Sequence, residues 1–109
     1  MRTARNFPMT SEAQLQRDVI QASKLLGWMC YSIPDSRRAT SNGYPDLTFL
    51  YPGNGRSGSG DFFLAELKAE NGVLSREQVG WIAGLHAAGV EVFVWRPSDW
   101  DEIIARLQR

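Results

Sequence analysis

The stretch DLTFLY (Asp46–Tyr51), then PGNGRSGSG (Pro52–Gly60), then FFLAELKA (Phe62–Ala69) decides the fold of this chain. Two runs rich in aromatic and aliphatic residues closely flank a glycine-rich segment, which predicts adjacent strands joined by a flexible hairpin loop rather than domains joined by a linker. Strand side chains alternate, so Glu66 and Lys68 share one face while Leu67 points to the other. Pro45-Asp46 opens the first of the two strands. A carboxylate pair such as Asp46 and Glu66 is the hard oxygen donor set that Mg²⁺ or Mn²⁺ prefers. The Lys68 ammonium beside it can orient or help deprotonate an attacking water and offset phosphate charge. The pattern points to cleavage of phosphodiester bonds with a metal ion.

Working outward, residues 1–9 (MRTARNFPM) show no periodicity and read as a loose arm. Thr10 or Ser11 can cap a helix, Ser11-x-x-Gln14 has the form of a capping box, and Leu15, Val19, Ala22 and Leu26 recur at helical spacing before a stop at Gly27. Trp28 to Ile33 predicts a strand, ended by Pro34 and a polar stretch that holds Arg37 and Arg38. After the two central strands, Ser75-x-x-Gln78 repeats the capping-box form and opens a helix over 76–88 through Val79, Ile82, Leu85 and His86, closed by Gly89. Val90–Trp95 (VEVFVW) predicts a strand covered on both faces. Ser98 is placed to cap a last helix, whose Trp100, Ile103, Ile104 and Leu107 form one apolar stripe. The fold class is therefore α/β: a helix, three strands, a crossover helix and a strand, with an extra C-terminal helix, the sheet being mixed and flanked by helices.

At 109 residues the chain is one domain, with residues 10–109 forming it. Its 43% hydrophobic and 22% charged composition is that of an ordinary soluble globular protein, and no apolar run approaches membrane-spanning length. A cytoplasmic protein with no membrane partner is expected. The single cysteine, Cys30, excludes a disulfide framework or a thiolate zinc site within one chain and reads as a small buried hydrophobe. His86, the one histidine, has no second imidazole to join in metal binding and reads as a packing or surface residue. Net charge is +0, which argues against binding nucleic acid by charge alone; ten of the twelve basic residues are arginines, the side chain suited to gripping phosphates in two-pronged fashion.

The ordered set Gly43-Tyr44-Pro45-Asp46-Leu47, Glu66-Leu67-Lys68 and Leu74-Ser75-x-x-Gln78 resembles the PD-(D/E)XK nuclease superfamily, and within it the virus-type replication-repair nuclease (VRR-NUC) family. The resemblance spans residues 12 to 96 or so and implies a restriction-endonuclease-like core. It further implies Asp46 and Glu66 as metal ligands, completed by the Leu67 backbone carbonyl, with Lys68 positioning or activating the attacking water. Glu12 matches the family's helical glutamate, as a catalytic and metal-site residue, and Gln78 its helical glutamine. The cofactor implied is Mg²⁺, with Mn²⁺ able to substitute. The function implied is that of a metal-dependent DNA endonuclease, structure-specific on branched DNA such as Holliday junctions, in viral or bacterial replication or repair. Symmetric cutting of two strands needs two sites, hence a homodimer. A restriction-like sequence-specific nuclease and a catalytically silent DNA-binding module on the same fold are the alternatives.

Residue by residue, the pattern leaves second roles open. Glu12 sits at the edge of the buried stripe and aims toward the sheet, but a first-turn glutamate also suits the helix dipole. Gln78 shares a face with Ile82 and Leu85, but it is also the third residue of its capping box. Asp46 is a ligand or an Asx-turn residue after Pro45. Glu66 and Lys68 are a working pair or a solvated one, although Phe62, Phe63 and Leu64 make their strand central, where ionised groups are costly without partners. Arg37 and Arg38 either hold a phosphate backbone entering the site or are solvated loop charges, and Tyr44 either stacks on a base or sugar or fills a gap beside Pro45.

Overall fold

The computed structural model describes residues 11–33 and 39–109. The 1–9 arm, Arg37 and Arg38 lie outside the described residues. Helix α1 (Glu12–Leu25) starts at Ser11, whose hydroxyl accepts from the Gln14 N–H at 3.0 Å. Strands β1 (Met29–Ser32), β2 (Leu47–Tyr51) and β3 (Asp61–Leu67) follow, then helix α2 (Arg76–Ala87), strand β4 (Val92–Trp95), a 3₁₀ turn at Pro97–Asp99 and helix α3 (Trp100–Leu107). The sheet runs β1-β2-β3-β4, antiparallel except for the β3–β4 pair, so α2 is the crossover between parallel strands. This is the mixed-sheet α/β architecture the sequence predicts.

The register sorts the sheet into two faces. Leu47, Phe49, Phe63, Ala65, Leu67 and Trp95 point to the side packed by α1 and α3, where Leu15, Val19, Ile103, Leu107 and Trp28 close the core. Phe49 and Phe63 stack at 4.7 Å between centroids, and Trp28 meets both edge-on. Glu66 has the opposite parity and lies on the face that carries α2. On that face the register aligns Met29, Leu50 and Phe62 across three strands, and with Tyr31 they stay 41–62% exposed. α2 covers only part of this side, and none of its residues is fully buried.

Several local expectations need correction. The buried line of α1 is Leu15, Val19 and Ser23; Leu26 is 38% exposed, and Ser23 is accommodated because its hydroxyl donates to the Ile20 carbonyl at 2.8 Å. β4 is an edge strand and is not covered on both faces: Phe93 and Val94 are half-buried and Glu91 is exposed. Ser98 does not cap α3, because both its N–H and its hydroxyl donate to Glu70, at 3.0 and 2.6 Å, and a 3₁₀ turn precedes the helix. Asp46 and Lys68 each fall one residue outside a strand end, although the Lys68 N–H still continues the ladder to the Trp95 carbonyl.

The end of the sheet far from Glu66 is locked by Arg106 of α3. Its guanidinium makes two 2.8 Å hydrogen bonds to Asp61, a 2.9 Å bond to Glu91, and stacks 4.4 Å over the Phe63 ring. That contact holds the Asp61 carboxyl below its usual range. The Trp28 indole N–H donates to the Leu107 carbonyl in the same region, at 2.8 Å. Replacing Arg106 by Ala removes the bidentate pair and the ring contact together, so it should lower stability by about 2 kcal/mol and the melting temperature by roughly 10 °C. Thermal unfolding followed by circular dichroism checks this; an unchanged melting temperature would show that the pair is idle.

Candidate active site

β3 delivers Glu66 to the middle of the sheet, flanked by β2 and β4, where it is 1% exposed. The pairing of Leu47 with Ala65 sets Asp46 opposite Glu66 and Pro45 opposite Leu67. Proline has no N–H, so Pro45 offers no donor to the Leu67 carbonyl. The Leu67 N–H finds its partner in the Asp46 side chain, donating to Oδ2 at 2.8 Å. Pro45-Asp46 thus ends the ladder and turns the Asp46 carboxylate toward the strand that carries Glu66.

Two donors converge on one oxygen of Glu66. Gln78 Nε2 donates to Oε2 at 2.8 Å, and Lys68 Nζ lies 3.7 Å from that atom. Gln78 also completes its capping box: its Oε1 accepts from the Ser75 N–H at 2.9 Å and its own N–H donates to the Ser75 hydroxyl at 3.1 Å. One amide therefore caps α2 and fixes Glu66. The other oxygen, Glu66 Oε1, is buried, and no hydrogen-bond partner reaches it among the described residues. Burial, then the nearby charge of Asp46, push the Glu66 carboxyl up to about 8, against an opposing pull from Lys68. Glu12, at the start of α1, feels the same field. Its carboxyl is raised by partial burial and then by Asp46, and is stabilised by Lys68, so it faces this cluster from the rim.

Two facing carboxylates and an orphaned buried oxygen form a place that wants either a shared proton or a cation. Hard oxygens suit a divalent ion such as Mg²⁺ or Mn²⁺. Among the described residues no three His, Cys, Asp or Glu side chains come together as a ligand set. Asp46 and Glu66 are two side-chain donors, which leaves the rest of any shell to backbone oxygen and water, as Mg²⁺ tolerates.

The loop before Asp46 is seated on α2 through Gly43. A Cβ there would meet the Glu77 carbonyl carbon at 2.5 Å, and Gly43 has φ +94°. Both conditions demand glycine. Tyr44 packs edge-on against Trp81 of α2, 5.1 Å between centroids. This seating, which aligns Asp46 with Gln78, escapes sequence reasoning, although the glycine next to Tyr44-Pro45 is its one visible signal. His86 contacts the Val92 carbonyl at 3.1 Å, a packing role. Cys30 packs against the core, half-buried, and burial raises its thiol.

A family model described as VRR-NUC domain matches residues 6–99. The chain belongs to the VRR-NUC family. Membership makes this VRR-NUC domain a nuclease of the PD-(D/E)XK type, with DNA as the substrate class and divalent metals as the usual cofactors of such enzymes. No curated protein and no solved structure matches the chain. No helix among the described residues is long and apolar enough to cross a membrane.

The raised Glu66 carboxyl has a pH signature. Its ordinary value is 4.5, so between pH 4.5 and about 8 the folded chain holds a proton that the unfolded chain has released. This group's contribution to stability is complete below pH 4.5 and is lost as the pH rises toward 8. Glu66→Gln keeps the shape and removes the charge, so without metal it should melt like the parent at pH 5 and higher than the parent at pH 8.5, by about 5 °C. Calorimetric scans at the two pH values decide this; equal melting temperatures at pH 8.5 would show that no buried charge is being relieved.

Proposed function

We propose that this VRR-NUC domain is a metal-dependent DNA endonuclease, acting on branched, Holliday-junction-type DNA as a homodimer in replication or repair in a bacterial or phage-infected cell. The observation that carries the reading is the buried Glu66, with one oxygen held by Gln78 and Lys68 and the other open beside Asp46. In this reading Asp46, Glu66 and the Leu67 carbonyl hold Mg²⁺, which Mn²⁺ can replace, and Glu12 adds negative charge from the rim. When bound, the ion supplies Lewis-acid stabilisation of charge on the phosphate and acidifies a water.

The protein's own groups carry out the remaining steps. Lys68 orients the attacking water for in-line displacement at phosphorus and offsets charge on the equatorial oxygens. Gln78 keeps the Glu66 carboxylate from rotating, and the Leu67 N–H does the same for Asp46. Arg37 and Arg38 meet the phosphate backbone, and Tyr44, beside Trp81, stacks on a base or sugar. Pairing of two copies is supported by the uncharged row Met29, Leu50 and Phe62, which can meet its own symmetry mate.

Four-way junctions and linear duplexes of varied sequence, incubated with Mg²⁺ and with Mn²⁺, test this. Cleavage should favour the junction, and Lys68→Ala or Asp46→Asn should reduce it by about 10³-fold with the fold intact. Undiminished cutting by either variant would overturn the residue roles. Equal cutting of all linear DNAs would overturn the branched preference, and a monomer mass by sedimentation would overturn the dimer.

A further inference from the structure

We infer that an open pocket of about 480 Å³ between α2 and the loop before Asp46 receives one unpaired nucleobase of the DNA strand being cut. The inference rests on the reading of this domain as a DNA nuclease and adds a base-binding site beside its catalytic cluster. The pocket adjoins that cluster on both walls. Glu77, on one wall, precedes the Gln78 that holds Glu66, and Asn42, on the other, precedes the Gly43 that packs on the Glu77–Gln78 backbone. One helical turn separates Gln78 from the pocket-lining Trp81, so the pocket lies about a nucleotide's reach from the carboxylates.

Its chemistry selects the occupant. Trp81, half-buried and braced by Tyr44, gives a flat aromatic surface, with Leu85 as apolar floor. Bases of any sequence stack on such a ring. Ser41 and Asn42 carry donors and acceptors, and Glu77 carries acceptors for the amino and ring N–H groups of a base edge. Among the described residues no lysine or arginine lines the space, and Glu77 would repel a phosphate, so these walls suit a neutral, planar, hydrogen-bonding group. A paired base keeps its edge and faces occupied; an unpaired one presents both.

The helix itself is bare where the base would lie. Gly80 and Gly84 stand in the interior of α2, where glycine is the least favourable residue after proline. A Cβ built at either position meets nothing within 4 Å, so no contact among the described residues requires them. Side chains there would project into the pocket. Glycine at these two positions keeps open a space that only an outside group can fill.

Binding tests the site separately from cleavage. In the Lys68→Ala background, a fluorescein-labelled fork with one unpaired strand is titrated by anisotropy, with an abasic nucleotide moved one step at a time past the branch point. One abasic position should weaken binding about 10-fold, the loss of one stacked base. Gly84→Leu should weaken the intact fork as much, weaken that abasic fork no further, and melt no lower than its parent. Trp81→Leu provides a second variant with the same expected pattern. The site is overturned if Gly84→Leu and Trp81→Leu bind the intact fork as tightly as the parent, if their loss persists on every abasic fork, or if the parent binds no fork. Cleavage by the chain with Lys68 is read in parallel: position-specific binding without cutting supports the pocket while removing the nuclease reading, and cutting without it does the reverse.

Discussion

Glu66 is buried in a central strand of the sheet, and its charge constrains everything around it. A lone carboxylate buried in a central strand is costly enough that it would take up a proton and stay neutral. Here the surroundings set a balance between charge and neutrality. Gln78 and Lys68 favour the ionised form through one oxygen, while burial and Asp46 oppose it, with the other oxygen left open. In the proposed function such a group would exchange its proton for a cation, making metal uptake and proton release one event. The cost is carried by the rest of the fold, which is why the strand that bears it has a neighbour on each side and an aromatic core beneath.

The molecule divides its tasks along the length of β3. At the Asp61 end, Arg106 ties α3 to β3 and to Glu91 and covers Phe63. At the Glu66 end, the polar groups gather with like charges facing each other. Stabilising contacts at one end allow an unfavourable cluster at the other, a few residues along the same strand. The arginine count of the chain is accordingly a poor guide to phosphate binding, because Arg106 is fully engaged in holding the fold together, and Arg96 donates to the Gly72 carbonyl at 2.7 Å.

The sequence made the element order and the polar cluster readable because both depend on local periodicity. Alternation placed Glu66 opposite in parity to Leu67, helical spacing turned Gln78 inward while Glu12 stays exposed at the rim, and the capping-box form located the start of α2. What could not be read depends on contacts between distant residues. Leu26 fits the helical stripe but faces solvent, since the chain turns at Gly27 and Trp28 takes the buried place. Ser98 has the composition of a cap, yet Glu70, 28 residues away, claims both of its donors. VEVFVW reads as a doubly covered strand, but strand order puts it at an edge, and no local pattern encodes strand order. Gly43 shows the same limit within the site. Its identity is visible, whereas the approach of the Glu77 backbone that demands it is a tertiary fact.

α2 is held differently from the other helices, and this bears on how the site works. α1 and α3 bury leucine, isoleucine and valine; α2 fully buries nothing. Its position is set by discrete contacts: the capping box and the Gln78–Glu66 bond at its start, Gly43 and Tyr44 along one side, and His86 against Val92 near its end. A helix lacking a broad apolar anchor belongs to the less stable part of a domain, where local opening costs least. Ionising Glu66 strengthens the charge-assisted bond from Gln78, because a carboxylate is a better acceptor than a carboxylic acid. Whatever draws the proton from Glu66 therefore also secures the first turn of α2, and with it Glu77, Trp81 and the loop that presents Asp46. The Glu66 cluster and the wall of the pocket beside it are thus ordered by the same hydrogen bond.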